Sequence, residues 1–253
     1  MQHKSLVADR WLTGILGRDA YCLIVGDSFA TDIYNRTAAG YAFLQEVKRG
    51  PVFLYSRVSP ALTNYVAFLE EEKFRLVDTT VTFEKAITMP GRQEAGIHIR
   101  FAVTEDADQT AALAKRAFMF SRFHLDPAFP QETADKIKGE WARNFFSGGR
   151  GNAMVIAEVD HRVAGFLQLL FGPEGTLIID LIAVDERHRR KGIATGMIAY
   201  AESHCGHFET IRVGTQVANI PSLRFYERAG FLVSASNYVF HYHHPIQKEA
   251  EVG

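Results

Sequence analysis

At 253 residues, 47% apolar and 23% charged, the chain has the length and composition of an ordinary globular protein with one large domain or two modest ones. A formal net charge of −1 gives no global electrostatic case for nucleic acid or an anionic membrane as a partner, and no apolar run reaches the roughly 20 residues of a membrane span. Two cysteines, Cys22 and Cys205, form neither a disulfide framework nor a zinc pattern, and Met1 to Arg10 lacks the apolar centre of a signal peptide, so a cytoplasmic location is expected.

Taken in order, Leu6 to Ile15 allows a short helix and Tyr21 to Val25 reads as a strand ended by Gly26-Asp27. Apolar groups at helical spacing fill Arg36 to Arg49, Gly50-Pro51 breaks them, and Val52 to Val58 is again strand-like. Pro60 to Lys73 predicts a helix with Ser59 as its cap, and Arg75 to Lys85 alternates as a strand. Met89 to Gly96 carries proline, two glycines and charge without periodicity, and is expected to be a linker between a domain at 1–88 and a second at 97–253.

Beyond it, Ile97 to Val103 alternates like a strand, and Thr104-Glu105-Asp106 opens a helix with Ala111, Leu113, Ala114, Ala117 and Phe118 on its apolar face. An aromatic loop around Asp126-Pro127 precedes a helix over Glu132 to Phe146, and Ala153–Val159 pairs with Val163–Phe171 through Asp160-His161 as a hairpin. A buried strand then runs from Leu177 to Val184 into a basic turn, Arg187 to Lys191, and a helix opening at Gly192. Thr210–Gln216, Ile220–Ala229 and Phe231–Tyr242 follow as strand, helix and strand, so the fold class is α/β, a mixed sheet layered with helices.

The strand–turn–helix at Gly192 is the chemically informative stretch. A helix start leaves N–H groups unpaired where the dipole is positive, which makes an anion site. In Arg189-x-x-Gly192-x-Ala194 the small residues stand where a phosphate must approach the backbone. A solvated βα connection reads the same way on this pattern alone.

With the element order added, the second half resembles the GNAT superfamily of acyl-CoA-dependent N-acetyltransferases, whose Arg/Gln-x-x-Gly-x-Gly/Ala turn grips the coenzyme A pyrophosphate. A second signature agrees: Asn219, then Phe225-Tyr226 on a helix, then Gly230-Phe231. The resemblance implies acetyl-CoA as cosubstrate, held by Arg189, Arg190, Lys191, Gly192, Ile193, Ala194 and Asn219, with the backbone of Ile182, Ala183 and Val184 polarising the acyl carbonyl and pairing with pantetheine. It assigns Tyr226 as proton donor to the departing thiolate. No metal is expected, and His241, His243 and His244 read as surface groups.

Between the first strand and the hairpin, Ser121-Arg122-Phe123, Trp141 with Asn144, and Val213-Gly214-Thr215-Gln216 resemble the sugar-nucleotide N-acetyltransferases typified by dTDP-fucosamine acetyltransferase. That implies a dTDP-linked amino sugar as acceptor, with Ser121, Arg122, Phe123 and His124 contacting it. Lys138 departs from the aromatic expected three residues before the tryptophan, which leaves the sugar itself open. For the base that frees the amine, Asp180 and His124 are both candidates, and water could relay the proton instead.

Finally, Phe68 to Val77 aligns with Phe225 to Ser234, with Leu69 in place of Tyr226 and Leu62 in place of Asn219. Residues 1–88 are therefore expected to be a partial, non-catalytic GNAT-like half that supports the acceptor site or a homodimer contact.

Overall fold

A computed structural model describes residues 5–25, 34–36, 39–87 and 97–244, and the expected linker at 89–96 lies outside them. The first half runs β1 (Leu6–Ala8), α1 (Arg10–Leu16), β2 (Asp19–Ile24), α2 (Ala39–Val47), β3 (Val52–Val58), α3 (Thr63–Glu71) and β4 (Arg75–Ala86). The second runs β5 (His98–Phe101), α4 (Ala107–Ala117), α5 (Gln131–Phe146), β6 (Ala153–Val159), β7 (Arg162–Phe171), β8 (Thr176–Val184), α6 (Ile193–His204), β9 (Thr210–Gln216), α7 (Ile220–Arg228) and β10 (Leu232–His243). This is an α/β fold with a mixed sheet flanked by helices, and among the described residues no helix is long and apolar enough to cross a membrane.

Contacts divide the chain into two compact units, residues 1–80 with 236–253, and residues 81–235. The divisions fall inside β4 and β10, because a strand belongs with whatever its backbone bonds to rather than with its sequence neighbours. In the first unit, β2 and β3 are parallel over Asp19↔Val52 to Ile24↔Arg57, and the last part of β10 lies antiparallel on β3 from Tyr238↔Val58 to His243↔Phe53. Its core gathers Leu23, Leu44, Leu54, Phe68, Leu69, Phe74 and Phe240. Interior placement on this sheet corrects the expectation for His241, which is buried, with its ring edge-on to Phe53 and the centroids 4.8 Å apart. Of the stretch from Leu6 to Ile15 that allows a short helix, the first part forms β1, and Asp9 then caps α1 by accepting from the Leu12 N–H at 2.9 Å. The helix expected from Pro60 starts at Thr63 instead, since the Ser59 hydroxyl accepts from the Ala61 N–H at 3.4 Å and Leu62 is the cap position.

In the second unit, β5 to β8 are antiparallel neighbours in chain order and β9 joins β8 in parallel. Asp160 and His161, with φ of 49° and 58°, form the two-residue hairpin turn between β6 and β7, because two left-handed residues match the twist of the strands. One core, Val155, Leu167, Leu169, Leu177, Ile179, Met197, Val213 and Phe231, lies on the face that α6 and α7 cover. The other, Met154, Ile156, Phe166, Leu181 and Ala183, packs against α4 and α5.

Helix α6 lies close on the sheet at Gly165, where an added Cβ would stand 3.1 Å from the Ala183 carbonyl oxygen, Ile193 Cγ2 and Met197 Cε. Gly165→Val is expected to lower stability by about 1–3 kcal/mol through overpacking, seen as an earlier urea midpoint at unchanged m-value. An unaltered midpoint would show that α6 can lift away without cost.

Candidate active site

Strands β8 and β9 pair only from Thr176↔Thr210 to Ile179↔Val213. From Asp180 onward β8 continues to Val184 and β9 to Gln216 without partners in each other, so the sheet opens into a wedge. Such an opening exposes a row of backbone N–H and C=O groups inside an otherwise closed sheet, which an extended chain of amides can satisfy. The Asp185 N–H donates to the Ala164 carbonyl at 2.8 Å, fixing the sense of the alternation. Ala183 therefore turns its N–H toward Phe166 on β7, while Ile182 and Val184 turn theirs into the wedge.

A β-bulge shapes the same strand. Gln168 faces Leu181 and Leu169 faces Ile179, so Asp180 is the extra residue, and both Asp180 and Leu181 point toward α5. The Asp180 carboxylate accepts from the Trp141 indole at 2.9 Å, from Arg150 Nε and Nη2 at 2.7 and 2.6 Å, and from Gln168 Nε2 at 3.0 Å. Three of these four bonds fall on Oδ2, and the two from Arg150 tie the carboxylate into an ion pair. Lys138 and Arg150 flank the Trp141 ring at 4.7 and 4.8 Å, so the tryptophan joins a cationic cluster as well as the helix packing.

Past Val184 a short 3₁₀ turn, Glu186–His188, leads into the basic loop. Asp185 organises it: Oδ1 accepts from the Arg187 N–H at 3.1 Å, and Oδ2 accepts from Arg116 Nη2 on α4 at 2.6 Å. That guanidinium holds the carboxyl below the usual carboxylate range. Arg189 Nε donates back to the Val184 carbonyl at 3.2 Å. Arg190 adopts φ 64° and Gly192 φ 71°, and the first bond of the α6 ladder is Gly196 N–H to Gly192 O at 2.8 Å. The N–H groups of Ile193, Ala194 and Thr195 precede that bond and point out of the helix start. Arg187, Arg189, Arg190 and Lys191 are exposed around it.

On α7, Asn219 occupies the N-cap, where its Oδ1 accepts from the Ser222 N–H at 3.3 Å, and its amide lies 3.4 Å from Thr215 Oγ1. Capping thus uses one of its oxygen's lone pairs. Tyr226 is 3% exposed, packed among Phe83, Phe225 and Phe231 at 5.2–5.7 Å between centroids. Its hydroxyl has no hydrogen-bond partner among the described residues, and burial pushes its pKa well above the ordinary phenol value, so it stays protonated at neutral pH.

Ser121, Arg122 and Phe123 are all buried, with the Arg122 guanidinium 4.5 Å over the Phe123 ring and Phe123 edge-on to Phe129 at 5.5 Å. His124 Nδ1 lies 2.6 Å from Ser121 Oγ, and its Nε2 lies 3.0 Å from Asp135 Oδ1 on α5. Arg143 pairs with exposed Asp108 at 2.9 Å, and Asn144 is spent on the end of α5, where its carbonyl accepts from the Gly149 N–H at 2.9 Å. Arg116, Asp135, Arg150 and Gln168 were not singled out by sequence. Their partners stand 69, 11, 30 and 12 residues away, beyond any local pattern.

Comparison with known proteins agrees with this geometry. The Acetyltransferase (GNAT) family profile matches residues 97–231. The spore coat polysaccharide biosynthesis protein SpsD of Bacillus subtilis (strain 168) is 33% identical over 138 residues, which is 54% of this chain and 47% of that protein, so the match spans less than half of SpsD. Among solved structures, a GCN5-related N-acetyltransferase from Sphaerobacter thermophilus superposes with a TM-score of 0.59 at 13% identity, covering 90% of this chain and 74% of that one. A tandem GNAT protein from the clavulanic acid biosynthesis pathway gives 0.60 at 16% identity, covering 83% and 71%. An open β8/β9 wedge, a left-handed basic turn at a helix start and a family match over more than half the sequence lead to one conclusion: the chain belongs to the GNAT acetyltransferase family.

Proposed function

We propose that the protein transfers the acetyl group of acetyl-CoA to the 4-amino group of a dTDP-4-amino-4,6-dideoxyhexose by direct attack in a ternary complex. The observation that carries the cofactor half is the wedge beyond Ile179↔Val213, which ends at the basic turn. In this reading pantetheine lies along β8, bonding to the N–H groups of Ile182 and Val184, with Ala183 between them. The pyrophosphate rests on Gly192, Ile193 and Ala194, with Arg189, Arg190 and Lys191 supplying charge. Asn219 serves the cofactor from the α7 cap, and Tyr226 protonates the leaving thiolate.

The acceptor half rests on Ser121, Arg122, Phe123 and His124 and on the Trp141 ring with Lys138 and Arg150 at 4.7 and 4.8 Å from it. Aromatic faces and guanidinium groups are what a thymine base and a diphosphate require. That SpsD is a polysaccharide biosynthesis protein is in keeping with a sugar acceptor. Residues 1–88 are read as a non-catalytic GNAT-like half. In support, β2 and β3 stay paired through Ile24↔Arg57, with no opening like that of β8 and β9, and Leu62 and Leu69 stand where Asn219 and Tyr226 stand in the second half.

A panel of dTDP-4-amino-4,6-dideoxyhexoses, free amino sugars, polyamines and peptides, followed by release of the coenzyme A thiol, is expected to show turnover with the nucleotide sugars at least tenfold above the rest. Preference for a peptide or polyamine would overturn the acceptor while leaving the cofactor site intact.

A further inference from the structure

Two anchors on β8 fix where the segment between α4 and α5 lies. At its start, Arg116 in the last turn of α4 pairs with Asp185 at the end of β8; after it, Trp141 on α5 donates to Asp180 at the bulge. Residues 117–140 are thus tethered at both ends to the part of β8 that has left β9, where the thioester is expected. Within that segment the N–H groups of His124 and Leu125 both close on the Ser121 carbonyl, at 2.8 and 3.0 Å. The resulting turn brings Ser121 and His124, three residues apart, onto one side.

The His124 side chain is 3% exposed and both ring nitrogens are engaged. A carboxylate only accepts, so the contact from Nε2 to Asp135 Oδ1 at 3.0 Å puts a proton on Nε2. In the neutral imidazole Nδ1 is then the lone-pair nitrogen, and the Ser121 hydroxyl donates to it across 2.6 Å. What remains on Ser121 Oγ is acceptor capacity. Asp180, the other candidate base, accepts bonds from Arg150, Trp141 and Gln168, and using it would mean breaking an ion pair.

We infer that Ser121, His124 and Asp135 form the proton relay that deprotonates the acceptor amine. This rests on the amine-acetylation reading above. The ammonium group of the acceptor gives a proton to Ser121 Oγ while the Ser121 proton passes to Nδ1, leaving a neutral amine and an imidazolium paired with Asp135. The amine nitrogen then bonds to the acetyl carbon, the carbon–sulfur bond breaks, Tyr226 protonates the sulfur, and the nitrogen's second proton restores the phenol. Asp135, whose side chain is 33% exposed, faces solvent, to which the imidazolium finally returns its proton. Ser121 is the group that touches substrate; Asp135 is a positioning residue. Asp135 is the charged group in contact with His124. On the same segment Arg122 stacks on Phe123, and Asp126 accepts from the Ala128 N–H at 2.9 Å.

The test uses the full chain with dTDP-4-amino-4,6-dideoxygalactose, measuring kcat from about pH 6 to 10, the span over which a free amine loses its proton. His124→Gln is expected to lower kcat about 10²-fold or more at neutral pH and to recover toward wild type as solvent deprotonates the amine. Asp135→Asn, which leaves Nε2 without its acceptor, is expected to lower kcat about tenfold and to move the ascending limb of the profile. Acetyl-CoA affinity by calorimetry confirms that each variant is folded. A loss of equal size at every pH, or a wild-type profile in His124→Gln, would overturn the relay alone. A wild-type protein that binds acetyl-CoA yet acetylates no amine would overturn the function and the relay together.

Discussion

Gly192→Val is expected to abolish measurable acetyl-CoA binding, with affinity at least 100-fold weaker and no more than a modest loss of folding stability. Gly192 stands at φ 71°, in the left-handed region, as the cap residue of α6. An L-residue there costs about 1–2 kcal/mol, and more when it is branched at Cβ, because the side chain crowds the following carbonyl. The chain relieves that strain by rotating out of the left-handed well. The N–H groups of Ile193, Ala194 and Thr195 would then no longer converge, and the pyrophosphate would lose several charge-assisted bonds together. A loss of 100-fold corresponds to about 2.8 kcal/mol, less than two such bonds can supply. Calorimetric titration with coenzyme A decides it: near wild-type affinity in a folded Gly192→Val would place the pyrophosphate elsewhere.

This turn was legible in sequence because its chemistry is local: four basic residues, a glycine and a small residue within eight positions specify backbone and charge together. The wedge it serves was not. Where β8 and β9 part depends on pairing between residues 34 apart, and TLIIDLIAV reads as a uniform buried strand. The bulge at Asp180 is hidden for the same reason, since adding one residue changes which face each apolar group meets without changing the run of apolar letters. His241 shows the converse failure. Three histidines without companion Cys or carboxylate spacing read as surface groups, but β10 lies between β3 and β4 in the sheet and His241 is buried against Phe53.

The repeat proposed for residues 1–88 rests on a helix end, where backbone geometry is narrowly constrained. Leu62 and Asn219 cap their helices at φ, ψ of −90°, 60° and −86°, 65°. At the other end Lys73 and Gly230 are both left-handed, at φ 65° and 85°, and Phe74 and Phe231 donate to the carbonyls of Leu69 and Tyr226 at 2.9 and 3.0 Å. The two helix ends thus share a backbone and differ in side-chain chemistry, with Leu62 and Leu69 against Asn219 and Tyr226. The segment from Ser121 to Asp135 also resisted a local reading. Ser121 and His124 are close in sequence, but Asp135, which fixes the imidazole tautomer, arrives from another element.

Tyr226→Phe is expected to reduce kcat about 10²-fold while leaving acetyl-CoA affinity and folding stability close to wild type. The ring is held by Phe83, Phe225 and Phe231, and phenylalanine keeps every one of those contacts. Since the hydroxyl has no protein partner among the described residues, removing it leaves no orphaned group behind, and burial of the resulting phenyl is neutral or slightly favourable. Its raised pKa, caused by desolvation, would by itself make it a reluctant acid. The departing thiolate, however, forms in the same water-poor site, where its own charge is penalised, so the driving force for transfer from phenol to sulfur is greater than the tyrosine's shift alone suggests. Burial also keeps the phenol protonated across the neutral and mildly basic range, so loss of the tyrosine proton is not expected to limit the rate there. The decisive comparison is between kcat and the acetyl-CoA dissociation constant in one variant. A fall in kcat alone identifies a group acting on the leaving thiolate, weaker binding alone identifies a packing residue, and an unchanged rate excludes Tyr226 as the donor.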